Sequence, residues 1–270
     1  MSIVAVTREM GSLGTSVGMA VAQRLGYVCV REDITREAAE EYQVPEPRLV
    51  EVIEEYPGLF ERLTRSARRY HAFVAAEVLD AAVKERVVII GRWSTFLLAG
   101  IAHAVRVRVT APLDIRVDRI AERLRVDRDE ALGRVQAYDR GVRARIRQLF
   151  HVEWSDPLNY DLTITTDRIG IDTGTAQILA LAAAPEFQPT DDSRRQLRDR
   201  ALAARVRAAL KAKRATARVD VEVRVDGARV TLAGTVETDA ERDAAMQVVR
   251  GVDGVETVTS GLRVTEPPPR

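Results

Sequence analysis

The chain has little of what marks a secreted or membrane-spanning protein. A single cysteine, Cys29, excludes an internal disulfide and suits a reducing compartment, so a cytoplasmic setting is expected. No apolar run approaches the length of a membrane span, residues 178–184 being too few, and no basic segment followed by an apolar one opens the chain, so no signal peptide is expected. The net charge of +1 gives no global reason to expect nucleic acid or an anionic surface as partner. Lysine is nearly missing: Lys84, Lys211 and Lys213 are the only ones among 41 basic residues. A phosphate site in the first two thirds of the chain therefore has Lys84 or arginines to draw on, and arginine binds phosphate through a planar fork. What is present, 46% hydrophobic and 30% charged residues over 270 positions, describes a globular protein with room for two domains.

Residues 3–18, Ile-Val-Ala-Val-Thr-Arg-Glu-Met-Gly-Ser-Leu-Gly-Thr-Ser-Val-Gly, organise the first two thirds. An apolar β-branched run passes into a Gly/Ser/Thr loop, and Val17, Val21 and Leu25 then recur at helical spacing before Gly26. A strand, a loop and a helix are predicted. Such a loop offers backbone N–H groups and a helix N-terminus to an anion, which suits phosphate. The phosphate-loop template G-x-x-x-x-G-K-[ST] aligns Gly14 with its second glycine, Thr15 with its lysine and Ser16 with its metal-binding hydroxyl. Glu9 takes the first glycine's place, while Gly11 and Ser12 still supply a tight turn. Taken alone, the stretch reads first as an ordinary Gly-rich strand-to-helix turn, and it is the residues downstream that reverse this.

Residues 27–30 read as a second strand and 34–42 as a helix, with Asp33 placed to cap it or to reach a ligand or metal-bound water. Pro45 and Pro47 break the chain, a short helix over 48–56 follows, and Pro57-Gly58 break it again. A longer helix over 59–84 carries Arg65, Arg68 and Arg69 as a solvated face. Val87–Ile90 reads as a buried parallel strand, and Arg92 just beyond it faces the ligand crevice. Residues 103–110 alternate valine with arginine. The helix after Pro112 holds Arg116, Arg119 and Arg123, and the next, opened by Asp127 and Glu130, holds Asp139, Arg140, Arg143, Arg145 and Arg147. A strand at 162–166 and a helix at 173–184 complete an alternation that implies an α/β fold, a doubly wound parallel sheet with helices on both faces. After a polar linker, 185–193, the pattern changes to helix (194–211), strict period-2 strand (219–225), Asp226-Gly227 turn, strand (229–236), helix capped by Thr238, and strand (255–264). The boundaries expected are 1–184, a small α+β (αββαβ) domain at 194–265, and a disordered tail at 266–270.

Together these residues resemble a known family. Thr7-Arg-Glu-Met-Gly-Ser-Leu-Gly-Thr-Ser, Ile89-Ile-Gly-Arg92, Val109-Thr-Ala-Pro112, Asp139-Arg140 and the span from Asp156-Pro157 to Tyr160-Asp161-Leu162 are similar to the cytidylate kinase-like proteins, a branch of the P-loop nucleoside monophosphate kinases, over residues 2–183. Residues 194–265, with Val230-x-Leu-x-Gly234-x-Val and Gly251-Val-x-Gly-Val255, resemble the BON module, a family associated with phospholipid binding.

The resemblance implies that Gly11, Ser12, Gly14, Thr15 and Ser16 cradle the phosphates of ATP, with Ser16 on Mg²⁺. It places Arg92 near the acceptor nucleotide and makes Arg140, Arg143 and Arg147 lid arginines. It departs from the family at Thr15, at Trp93 where an aspartate usually helps hold the acceptor, and at Arg31 where an aspartate is common. The activity implied is Mg²⁺-dependent phosphoryl transfer to a pyrimidine nucleoside monophosphate or similar acceptor. A nucleotide sensor with little turnover and a pure interaction scaffold stay open beside it. Gly14→Val is expected to abolish nucleotide binding and spare the apo fold. The C-terminal module is expected to fold alone and to dock, peripherally at the inner membrane or on a protein partner. Arg194, Arg195, Arg198, Arg200, Arg205, Arg207, Lys211 and Lys213 would supply the attraction to anionic phospholipid.

Overall fold

The structure, a computed structural model, describes residues 2–31, 38, 42 and 60–265, the side chains of residues 60–68 excepted. Asp33, the helix expected over 34–42 apart from Ala38 and Tyr42, the helix expected over 48–56, the Pro57-Gly58 break, the Arg65 and Arg68 side chains and the tail at 266–270 lie outside the described residues.

Strands β1 (Ile3–Arg8), β2 (Val28–Val30), β3 (Val87–Ile90), β4 (Ala104–Thr110) and β5 (Leu162–Thr165) form one parallel sheet in the order β2-β3-β1-β4-β5. The helices are α1 (Gly14–Leu25), α2 (Phe60–Val83), α3 (Ser94–Leu97), α4 (Leu113–Leu124), α5 (Arg128–Phe150), α6 (Ile171–Ala183), α7 (Asp191–Ala212) and α8 (Asp239–Arg250). Strand side chains alternate between faces. Val4, Val6, Val88, Ile90, Val105 and Val107 lie in the core under α1 and α6, whereas Ile3, Ala5, Val87, Ile89 and Ala104 lie in the core under α2. Burial on both faces is why β1 and β3 read as continuous apolar runs. Central β1, paired on both sides, ends where β3 and β4 end, so the loop after it opens at the C-terminal edge of the sheet.

The polar stretch at 185–193 is not a spacer. Residues 185–187 make one 3₁₀ turn, and α7 begins three residues earlier than the sequence pattern suggests. Thr190 Oγ1 accepts from the Ser193 N–H (3.1 Å) and Ser193 Oγ accepts from the Thr190 N–H (2.9 Å), a reciprocal cap. From there α7 buries two faces. Leu197, Ala201, Ala204 and Ala208 join the core beside α2, and Leu202, Ala203, Val206 and Leu210 join the core of the second sheet. That sheet consists of β6 (Glu222–Asp226), β7 (Arg229–Val236) and β8 (Thr257–Val264) in the order β6-β7-β8, with β6 antiparallel and β8 parallel to β7 and α8 against it.

This placement corrects the picture of an arginine row on α7 turned to an anionic surface. Arg194 pairs with Glu85 (2.6 Å), Arg195 with Asp192 (2.5 Å), and Arg205 stands 3.8 Å from Asp80. Arg200 donates to the Leu97 and Ala99 carbonyls (3.2 and 2.6 Å), Arg207 to the Val223 carbonyl (3.1 Å) and Lys211 to the Val219 carbonyl (2.8 Å). Most of the row is spent within the protein because α7 is sandwiched. Among the described residues no helix is long and apolar enough to cross a membrane.

Candidate functional site

The loop after β1 turns through Gly11 (φ 80°) and Leu13 (φ 60°), both left-handed, into α1. Space as well as conformation restricts it. A Cβ on Gly11 would lie 2.6 Å from the Arg116 carbonyl oxygen, and one on Gly14 would lie 2.5 Å from Arg8 Cβ and 3.0 Å from Val109 Cβ. The second contact corrects the expectation for Gly14→Val, which disrupts the junction of β1 and β4 and so cannot spare the apo fold.

The loop is fastened by its carbonyls. Arg119 donates to the Gly11 carbonyl (3.2 Å) and to the Thr166 hydroxyl and carbonyl (3.0 and 2.7 Å), while Thr166 Oγ1 donates to the Ser12 carbonyl (2.8 Å). The N–H side is left open. Leu13 caps α1 without a side-chain hydrogen bond, so the N–H groups of Gly14, Thr15 and Ser16, the first of the helix, have no intrahelical acceptor and no capping side chain. Ser12 Oγ is buried with no partner among the described residues. A helix N-terminus prepared in this way attracts an anion through both its N–H groups and its dipole.

Beneath the loop lies a buried ionic cluster. Glu9, 6% exposed in the position of the template's first glycine, accepts from Arg108 (2.5 Å) and Thr110 (2.6 Å) of β4 and lies 3.2 Å from Arg116 Nε. Arg116 donates in turn to both oxygens of Asp139 on α5 (3.2 and 2.9 Å). Two guanidinium groups and two carboxylates offset one another, which is how such charges tolerate burial. Burial raises the Asp139 carboxyl above its ordinary pKa, with Arg116 acting against that shift.

Tyr138, one residue before Asp139, carries the cluster to the next strand. Its hydroxyl accepts from Arg92 Nε (3.1 Å) and donates to the Arg8 carbonyl (3.4 Å), and the Arg92 guanidinium lies 4.8 Å from the centre of its ring. Loop residues 11–16, Arg92 after β3, and the Tyr138–Asp139 turn of α5 thus share the C-terminal edge of the sheet. Arg140 and Arg143 are exposed on α5, and Arg143 is near enough to lower the Asp139 pKa. Arg147 is also exposed but pairs with Glu153 (2.6 Å). Lys84 is not brought to the site: it precedes β3 and so lies at the opposite edge of the sheet from the loop. Trp93 is buried in the core beside His71.

Sequence reasoning missed Glu9, Arg108, Arg119, Tyr138 and Thr166 as parts of the site. One signal was available: an acid closing a buried strand demands cations, and the Val/Arg alternation of β4 puts Arg106 and Arg108 on one face.

The sheet, the fastened loop and the open helix N-terminus define a parallel α/β protein with a kinase-like, nucleotide-binding fold. The chain belongs to the cytidylate kinase-like family, whose model matches residues 3–168, and a BON domain is matched at 198–266. A cytidylate kinase of Methanopyrus kandleri is 28% identical over 190 residues, covering 67% of this chain and 92% of its own. Osmotically-inducible protein Y of Escherichia coli is 38% identical over 68 residues, 25% of this chain and 34% of its own. The crystal structure of an uncharacterized protein from Eubacterium ventriosum matches with a TM-score of 0.53 at 19% identity, covering 68% of this chain and 99% of that one, a likeness of fold.

Proposed function

We propose that the first domain binds ATP on the loop spanning Gly11, Ser12, Gly14, Thr15 and Ser16 and transfers its terminal phosphoryl group to a nucleoside monophosphate, a pyrimidine nucleotide in the first instance. The observation that carries this reading is the α1 N-terminus, open on its N–H side and held from behind by Arg119 and Thr166. The residues also suit Mg²⁺: Ser16, at the template position of the metal-binding hydroxyl, is exposed and would hold the ion beside the bound phosphates. When bound, the ion neutralises charge on the transferring phosphates.

The rest falls to the chain's own groups. The acceptor is already an anion, so no strong base is required, and positioning with neutralisation suffices. Arg92, held by Tyr138, is assigned to the acceptor, and Arg140 and Arg143 to the phosphates; Arg147, paired with Glu153, has the weakest claim among the lid arginines. Asp33 is assigned to the nucleotide site from its place in the sequence alone. The second reading, a nucleotide sensor with little turnover, is favoured by one observation: Thr15 stands in the lysine's place and Lys84 is at the wrong edge to replace it.

In either reading the BON domain is a docking element. With Arg194, Arg200, Arg205 and Lys211 of the α7 row engaged within the chain, a protein partner is preferred to phospholipid, and a cytoplasmic setting is proposed. The test is ADP release from ATP-Mg²⁺ in the presence of CMP, UMP or dCMP, alongside direct nucleotide binding. Turnover by the natural chain supports the kinase. Tight binding without turnover, gained or not in Thr15→Lys, supports the sensor, and no nucleotide binding removes both.

A further inference from the structure

The second sheet has two edges, and they are built differently. Strands β6 and β7 close on the turn Gly227-Ala228, so Asp226 pairs with Arg229 and every second residue back from Asp226 bonds to β7. Val223 and Val225 therefore direct their N–H and C=O groups outward. Arg207 of α7 covers the Val223 carbonyl (3.1 Å), and Glu222, Arg224 and Asp226 charge every second position of this short strand. Short length, charge and a covering side chain are the usual protections of a sheet edge.

β8 lacks these protections. It runs for 8 residues, has Arg263 as its one charged side chain and contains no proline. It pairs with β7 alone, in parallel, and the Thr257 and Thr265 N–H groups donate to the Ala228 and Val236 carbonyls (3.3 and 2.9 Å). Alternation along the strand then turns the N–H and C=O groups of Val258, Ser260, Leu262 and Val264 away from β7. Among the described residues no backbone group answers them, and the Leu262 N–H makes do with Ser260 Oγ (3.3 Å). On the helix-facing side Val258 and Leu262 join the core only half-buried, and Val264 is half-buried too. Such an edge is a template for a further strand.

We propose that the strand it takes is β8 of a second copy of this chain, antiparallel about a twofold axis through Gly261, joining two three-stranded sheets into one. β8 is complementary to itself in that register. Ser260 faces Leu262 and Val258 faces Val264, so every outward N–H and C=O finds a partner. Centring on Ser260 would set Val264 against Glu256, whose N–H is already given to the Ala228 carbonyl (2.9 Å), and centring on Leu262 would carry Val258 past the end of the strand. In the Gly261 register Val258 and Val264 meet on the helix side and continue the apolar core across the axis. On the open face Arg263 stands opposite Thr259, so no like charges oppose one another. This pairing rests on the docking role read for the BON domain, with a second copy as the protein partner, and is independent of the kinase reading.

The test is sedimentation velocity of the full chain, without nucleotide, from about 1 to 200 µM, where a reversible dimer is expected. Ser260→Pro removes an outward N–H without touching the ladder to β7 and weakens the dimer about tenfold or more. Thr259→Arg sets like charges opposite Arg263 in this register and weakens it severalfold, and adding Arg263→Glu restores it. Thr259 is exposed, so this charge swap stands even where Ser260→Pro disturbs folding, which thermal melts of each variant report. A dimer that neither the folded Ser260→Pro variant nor Thr259→Arg weakens lies elsewhere and overturns the proposal. A chain monomeric throughout also overturns it, and the labelled peptide of residues 257–264 then separates two cases by fluorescence anisotropy. Binding of the peptide keeps the docking role, with a strand of another protein as partner; no binding removes edge docking as well.

Discussion

Arg116 on α4 grips Asp139 on α5 with both arms of its guanidinium, Nη1 to Oδ1 at 3.2 Å and Nη2 to Oδ2 at 2.9 Å, while its Nε faces Glu9 beneath the phosphate loop. Removing one partner of a buried pair leaves an uncompensated charge, the costly case. Asp139→Asn keeps the shape and removes the charge. Because Arg116 retains Glu9, the expected loss is about 3 kcal/mol, the lower end of the range for such a break. Urea unfolding reads it directly, and a change below about 1 kcal/mol would show that the cluster does not hold α5.

The helix shared by the two cores makes a second expectation. Leu197 is 2% exposed and packs beside α2, on the opposite face of α7 from Leu202 and Val206. Leu197→Ala should cost roughly 2–4 kcal/mol through lost burial and a residual cavity. A fragment of residues 194–265 should expose Leu197, Ala201, Ala204 and Ala208 and associate in solution. A monomeric, fully stable fragment in analytical ultracentrifugation would instead restore the module as a self-sufficient unit.

That shared face shows where sequence reading stops. The parallel sheet was legible because each buried strand is a short β-branched run between helical patterns, as in Val87–Ile90. Local caps were legible too: Asp127 accepts from the Glu130 N–H and Thr238 from the Glu241 N–H as their spacing implies. For α7 the signal cancels, since apolar residues on opposite sides leave no single stripe and alanines contribute little to one. The Glu9–Arg108 and Arg116–Asp139 pairs are non-local, and nothing in the order of residues states which arginine answers which acid. Charged residues with a buried partner look in sequence like solvated ones.

Acid should weaken the fold in a defined window. Burial, followed by the nearby Arg207 charge, lowers the His71 pKa from 6.5 to about 4, and burial lowers that of His103. Between these values the unfolded chain binds a proton that the folded chain refuses, so stability is full above pH 6.5 and falls as pH drops toward 4. The limit for His71 is roughly 3 kcal/mol. Glu85, held down to about 2 chiefly by its hydrogen bond from Arg194, loses its contribution only below about 4.5 and stays outside this window. His71→Leu should flatten most of the slope between pH 7 and 4.5 in urea midpoints. An unchanged slope would mean that His71 is not the group held neutral.

The arginines of α5 separate a binding face from a structural one. Arg145 is buried, and that burial lowers its pKa, whereas Arg140, Arg143 and Arg147 are exposed at i, i+3 and i+7 along one side of the helix. Arg147 is already paired with Glu153, and exposed pairs of this kind contribute at most about 1 kcal/mol. If the side of α5 carrying Arg140 and Arg143 closes on phosphate, Arg140→Ala and Arg143→Ala should each weaken ATP binding by about 1.5–3 kcal/mol, the scale of a hydrogen bond to a charged group. Neither should move the melting temperature of the apo protein noticeably, since both side chains are exposed. Arg147→Ala should have a smaller effect on ATP, and Arg145→Ala should lower stability before it touches affinity. Calorimetric titration with ATP-Mg²⁺, paired with thermal melts of each variant, distinguishes the two faces. Unchanged affinity in both Arg140→Ala and Arg143→Ala would make that face a solvated surface and leave neutralisation of the transferring phosphates to the loop, the ion and Arg92.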